Sequence, residues 1–233
     1  MGPDSRFAAS GMTPSNMIPD RKAFIRANTR LKPVPHVPEI SLHVADESVP
    51  IWLKTEEELQ EIGLPPPYWA FAWAGGQALA RYVIDHPETV AGKRVLDLAS
   101  GSGLVAIAAA MAGAIVTAAD IDAFTEAAIS LNMEANGVYA DILLHDLLDD
   151  PAPLAPRYDV ILVGDLFYER DTAARALTFL DRHAGVGTRV LVGDPGRTYL
   201  PKERLTRLAE YSVPVTRELE DLAIKRTTVW ELT

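Results

Sequence analysis

The chain has 233 residues, 48% of them hydrophobic, and a formal net charge of −10 at pH 7. That length suffices for one α/β domain with a full core, and the negative charge disfavours nucleic acid or an anionic membrane surface as a partner. The sequence contains no cysteine, which excludes disulfides and thiolate metal sites and agrees with a reducing, cytoplasmic setting.

Residues 1–20 are rich in Gly, Pro, Ser and Met, carry Asp4 and Asp20, and lack the apolar core of a secretory signal, so poor order is expected there. Residues 21–31 could form a short helix. Arg21, Lys22, Arg26, Arg30 and Lys32 make a basic stretch without an acid among them; residues 1–40 hold six Lys or Arg against three acids, a net +3, leaving −13 for the remainder. Such a stretch is either a solvated face or an arm for an acidic patch on a protein partner. Lys32–Pro38, with three prolines in six positions, reads as an extended linker that closes an N-terminal extension over 1–38. Glu39–Ala45 and Val49–Lys54 alternate apolar and polar residues around Asp46-Glu47-Ser48, the pattern of a β-hairpin at the start of a 39–233 domain.

Leu64-Pro65-Pro66-Pro67-Tyr68 then leads into a helix from about Gly75 to Asp85. From there strands and helices alternate: strand 94–98, helix 102–112, strand 115–119, helix 123–136, strand 141–145, strand 158–163, helix 169–184, strand 188–193. This order predicts a parallel sheet covered by helices on both faces. The longest apolar run, Gly103–Ala119, is divided by Gly113 into helix and strand, so no membrane span is expected. A helix near 201–210 should precede the strands Tyr211–Glu218 and Ile224–Leu232. Only five residues separate those strands, too few for a parallel crossover, so they must form an antiparallel hairpin.

Two acidic strand ends carry the cofactor signal. In Arg94-Val95-Leu96-Asp97-Leu98-Ala99-Ser100-Gly101-Ser102-Gly103, an apolar strand meets a glycine pair that opens a helix, and Ala114–Asp120 ends a second strand in a carboxylate one βαβ unit later. The glycines let the backbone approach a ligand, and Asp120 is placed to accept hydrogen bonds from both hydroxyls of a ribose. The glycine run also fits a relaxed dinucleotide pattern. Asp97, however, would repel a pyrophosphate and suits a ligand bearing an ammonium, such as S-adenosylmethionine; the bland alternative is an Asp that caps loop amides. Asp122 should cap helix 123–136. The five histidines are scattered, and no metal constellation is seen.

Gly164-Asp165-Leu166-Phe167-Tyr168 follows the strand ending at Val163, at the crevice where open α/β sheets hold substrate. An acidic residue with Tyr three positions on, together with Pro67–Leu79, Leu131–Asn136 and Gly193-Asp194-Pro195-Gly196-Arg197, resembles the class I, seven-stranded protein lysine methyltransferases. Among them the likeness is to those that modify the β subunit of electron transfer flavoprotein. It covers the chain from about Glu39 onward. The resemblance implies a Rossmann-like seven-stranded sheet with a C-terminal antiparallel hairpin, S-adenosyl-L-methionine as cofactor, and lysines of that β subunit as substrate. It places Trp73, Asp97, Ala99, Gly101, Gly103, Asp120, Asp146, Leu147 and Gly164 at the cofactor. Asp165 would receive the lysine ammonium, with Tyr168 and Phe167 walling the channel. Competing structural readings are a core Trp73, a turn-capping Asp146, and Asp165 as cap of helix 169–184. Asn132 and Asn136, four residues apart, are expected to make structural hydrogen bonds. Another methyl acceptor, such as a ribosomal protein or a small amine, and a nicotinamide-dependent oxidoreductase or a binding module without chemistry, remain the alternatives.

Overall fold

The computed structural model describes residues 20–45, 66–151, 157–215 and 223–233. The N-terminal segment up to residue 19, the expected strand Val49–Lys54 with its turn, and the connection between the last two strands lie outside the described residues.

The hydrophobic run after Lys93 forms the middle of a seven-stranded sheet. Its strands are β3 (Arg94–Leu98), β4 (Ile115–Asp120), β5 (Asp141–Leu144), β6 (Val160–Gly164), β7 (Arg189–Asp194), β8 (Leu205–Pro214) and β9 (Ile224–Leu232), in the order β5-β4-β3-β6-β7-β9-β8. The first five are parallel; β9 runs antiparallel to β8, as the short spacing of the last strands requires, and antiparallel to β7 as well. Alternate residues of the central strands enter different cores. Val95, Val160 and Leu162 face one side with helices α2 (Ala74–Asp85) and α3 (Leu104–Met111). Leu96, Ile161 and Val163 face the other with Phe179 and Leu180 of α5 (Arg170–Ala184). Burial on both faces explains the near-continuous apolar strands.

The helix expected near 201–210 is absent; a 3-10 turn at Lys202–Arg204 leads directly into β8. Leu205, Leu208 and Ala209 have helix-like spacing because the register slips between Arg207 and Ala209. An extra residue in a strand shifts its alternation by one, which imitates a helical period over a short window.

The Pro-rich segment is likewise not a linker. Helix α1 (Arg21–Asn28) runs into β1 (Thr29–Val34), which turns at Pro35-His36 and pairs with β2 (Val37–Ala45). A two-stranded ribbon consists only of edges, where a proline's missing N–H costs no ladder bond on the open side. Among the described residues the partner of β2 is therefore β1. The ribbon is latched to α4 (Ala123–Asn136), the helix after β4. Asn132 accepts from the His43 amide at 2.7 Å, and Asn136 accepts from the Ser41 amide at 2.9 Å and donates to the Ser41 carbonyl at 2.7 Å. Trp69 stacks on Phe124 with centroids 5.9 Å apart, while Phe24 of α1 meets Phe124 edge-on. Of the basic stretch, Lys22 donates to Ser130 and Arg26 lies 3.7 Å from Glu134, both on α4. Among the described residues no helix is long and apolar enough to cross a membrane.

Candidate active site

Strand order reverses between β3 and β6, and a cavity of about 500 Å3 opens at the carboxyl ends of β3, β4 and β6. Crevices of open α/β sheets form at such points because the loops from neighbouring strands diverge. The β3–α3 loop needs left-handed backbone at Ala99 (φ 56°), Gly101 (φ 54°) and Gly103 (φ 81°). A Cβ on Gly103 would also sit 3.2 Å from Ile129, so this glycine is required twice.

Asp97 is 2% exposed and lines the cavity; its Oδ2 accepts from Ser100 Oγ at 2.5 Å and from the Ala106 amide at 3.0 Å. Burial outweighs these bonds and pushes its carboxyl up to about 7. The capping role foreseen as the alternative is thus present, and it leaves Asp97 at the cavity wall. Asp120 spends both oxygens on loop amides: Oδ2 accepts from Gly101, Oδ1 from Ile121 and Asp122. Asp122 caps α4 through the Phe124 amide, as expected, and burial raises it to about 6.

Trp73 precedes α2 and donates its indole N–H to the Tyr68 carbonyl at 2.9 Å. Its ring lines the cavity with Tyr68, Phe71 and Leu147. Asp146 caps the turn after β5 through the Leu148 amide and also pairs with Arg175 at 2.8 Å, which holds its carboxyl below the usual range. Arg175 also bonds Asp149.

On the far side, Asp165 has left-handed backbone (φ 55°) and is 9% exposed. Its Oδ2 accepts from the Gly76 amide at 2.9 Å, and its Oδ1 accepts from Arg197 Nε at 3.2 Å and Nη2 at 2.8 Å. Helix α5 is capped by Glu169, which accepts from Asp171 and Thr172; Asp165 does not cap it. Tyr168 is 46% exposed and lines the cavity, its ring 5.8 Å from that of Tyr68. Phe167 corrects the expectation of a channel wall: it is 1% exposed, packs in the core with Leu166 and Phe179, and is not among the cavity-lining residues. Gly164 lines the cavity, yet the clearest demand for glycine there comes from α2. A Cβ on Gly164 would stand 3.1 Å from Gly76 Cα.

Tyr68, Arg175 and Gly76 also line the cavity, and Gly75 packs against Asp165, although no sequence motif gave them a role. Two successive glycines in the first turn of a helix were the available signal, since glycine there weakens the helix and has to be compensated by close packing. Among the described residues no cluster of His, Asp and Glu could hold a metal. The donor set does fit S-adenosylmethionine: carboxylates at Asp97 and Asp120 suit an ammonium and a ribose, and the aromatic and apolar lining suits adenine and a sulfonium.

The family model described as lysine methyltransferase matches residues 52–209. The electron transfer flavoprotein beta subunit lysine methyltransferase of Mus musculus is 37% identical over 225 residues, 93% of this chain and 86% of that protein. The Homo sapiens protein of that name is 36% identical over 224 residues, 93% of this chain and 83% of its own. Among solved structures, the ribosomal protein L11 methylase of Lactobacillus delbrueckii superposes with a TM-score of 0.50 at 22% identity. That match covers 70% of this chain and 80% of that one. The putative methyltransferase SMU.776, complexed with SAH, gives 0.51 at 18% identity over 82% and 53%.

Proposed function

The chain belongs to the lysine methyltransferase family and depends on S-adenosylmethionine, and from that premise we propose that its protein substrate is the β subunit of electron transfer flavoprotein. The observation that supports this substrate is the 37% identity to the mouse enzyme of that name, extending over 93% of this chain. S-adenosylmethionine, when bound, supplies an electrophilic methyl group on a sulfonium.

The residues divide the work. Asp97 would meet the ammonium of the methionine moiety, Asp120 the ribose hydroxyls, and Leu147 with the Asp146 turn the adenine. Ala99, Gly101 and Gly103 would bring the loop backbone against the ligand, and Trp73 would cover the sulfonium end. Asp165 orients the incoming lysine nitrogen, while Tyr168 and Tyr68 flank its aliphatic stem and exclude water from the approach. No strong general base is needed, because lysine can lose its proton to water before attack. The negative net charge favours a lysine-rich partner segment, and salt would screen that attraction.

The test incubates the purified protein with labelled S-adenosylmethionine and recombinant β subunit, followed by peptide mass spectrometry. Methyl-lysine on the β subunit is expected, lost in Asp165→Ala while S-adenosylhomocysteine still binds. Methylation of other proteins in an extract but not of the β subunit would overturn the substrate assignment.

A further inference from the structure

The turn after β7 is built to aim one side chain. Asp194 is 1% exposed, and its Oδ1 accepts from the amides of Gly196 and Arg197, each at 2.6 Å, with Gly196 at φ 94°. The turn delivers the Arg197 guanidinium onto Asp165 Oδ1 and to within 5.8 Å of the Trp73 ring centroid. Arg197 lines the main cavity and also a second one of about 290 Å3, bordered by Tyr168, Pro195, Gly196, Thr198 and Lys225. It therefore stands in the wall between the cofactor cavity and its outer side, beside the carboxylate assigned to the lysine.

A carboxylate standing alone there would be a poor device for methylation. It would stabilise the ammonium, and lysine, with an ordinary pKa near 10.4, already has too little neutral amine at pH 7. A guanidinium stays protonated at any working pH, so it balances the carboxylate without becoming a proton donor. Among the described residues, other charged or titratable groups near the pair are Asp194 at the end of β7, Lys225 of β9 and Tyr168 of the loop after β6, and Asp97 at the end of β3 lines the same cavity. Helix α2 adds Gly75 and Gly76, and the preceding Trp73, none of them charged. Asp194 is itself pushed up to about 6, chiefly by burial, so near neutral pH it adds at most one buried negative charge.

We propose that Arg197 is a positioning residue that neutralises Asp165 and disfavours the ammonium form of the acceptor lysine, so that the lysine gives its proton to water and enters the site as the neutral amine. Asp165 then retains its aligning hydrogen bond without holding the nitrogen in its unreactive form. The role assigned to Arg197 rests on the lysine-methylating function of this site.

The experiment is the pH dependence of single-turnover methylation of the electron transfer flavoprotein β subunit by the full chain, comparing wild type with Arg197→Gln and Arg197→Lys. The acid limb of the Gln variant should move to higher pH by about one unit or more, with much of the rate recovered at alkaline pH, since at the effective dielectric of a partly buried site a unit charge a few ångströms away is worth more than one pKa unit. The Lys variant, which keeps the charge, should keep most of the wild-type limb. A second readout needs no acceptor: calorimetric affinities for S-adenosylmethionine and S-adenosylhomocysteine. Removing the guanidinium should shift their ratio toward the cationic sulfonium. A Gln variant whose rate falls equally at every pH, or whose affinity ratio matches wild type, would overturn the role of Arg197. If wild type does not methylate the β subunit, the substrate assignment fails, and the affinity ratio still decides the question of Arg197.

Discussion

Alanine at Gly75 and at Gly76 should have opposite effects, although the two residues are adjacent in the first turn of α2. A Cβ on Gly75 would fall onto the Gly193 carbonyl oxygen and lie 2.5 Å from Asp165 Oδ2. Real carbon atoms do not approach backbone that closely, so α2 would have to lift from β7 by about 1 Å, at a cost near the upper end of the ~1–3 kcal/mol for overpacking. Alanine's helix preference returns about 0.5 kcal/mol, leaving about 2 kcal/mol of destabilisation. For a chain of this length that lowers the melting temperature by about 4–8 °C. A Cβ on Gly76 meets nothing nearer than Leu104 Cδ2 and Val105 Cγ2, both at 3.9 Å, so Gly76→Ala should leave stability unchanged or raise it by about 0.5 kcal/mol. Thermal and urea denaturation without cofactor measures both. The same displacement would carry Asp165 away from the Gly76 amide, so methylation should fall in Gly75→Ala beyond what unfolding explains. Equal midpoints for the two variants would refute the idea that contact between α2 and β7 sets the place of Asp165.

Asp97, at about 7, is partly protonated near neutral pH. If it meets an ammonium, S-adenosylhomocysteine binding at pH 6 should release a proton and weaken as pH falls, whereas Asp97→Asn should show neither effect in calorimetry across buffers of different ionisation enthalpy. Asp97, Asp122 and Asp194 are raised above the ordinary carboxylate pKa, so the folded state binds more protons than the unfolded chain between about pH 4 and their values, and stability should decline as pH rises through that window. Asp159, paired with Arg94, and Glu169, capping α5, are held at about 2, so their contribution is lost as pH falls from about 4 through that value; a melting-temperature profile with its maximum on the acid side of neutrality is the expected result. Asn132 is fully buried and also donates to the Ser102 carbonyl at 2.8 Å, joining the N-terminal ribbon to the glycine loop. Asn132→Ala should cost about 2–4 kcal/mol by orphaning partners on both sides, and should weaken S-adenosylhomocysteine binding as well as stability; a stability loss with unchanged affinity would show that the loop holds its shape without the latch.

Local chemistry determined much of this protein in advance. The strands ending at Asp97 and Asp120, the glycines at 101 and 103, and the five-residue gap before Ile224 each carry a constraint that neighbouring residues alone enforce: a steric limit on φ, a carboxylate at a strand end, a connection too short to cross over. Those constraints suffice for the sheet and its crevice. The family likeness in Asp165, Tyr168 and the turn at Asp194–Arg197 extended the reading to lysine chemistry. Tertiary contact decided the rest. The prolines at 33 and 38 sit in strands because a two-stranded ribbon has open edges, and Leu205–Ala209, whose helix-like period comes from a bulge, is a strand because it pairs with β9. Phe167 packs in the core while its neighbour Tyr168 lines the cavity, a division that depends on which elements close over the loop after β6. The pairing of Asp165 with Arg197 joins residues 32 positions apart through a parallel β6–β7 register, and the close contact of Gly75 with Gly193 spans more than a hundred. Long-range pairings of this kind leave no periodic trace in a sequence, because they depend on which helix comes to lie on which strand.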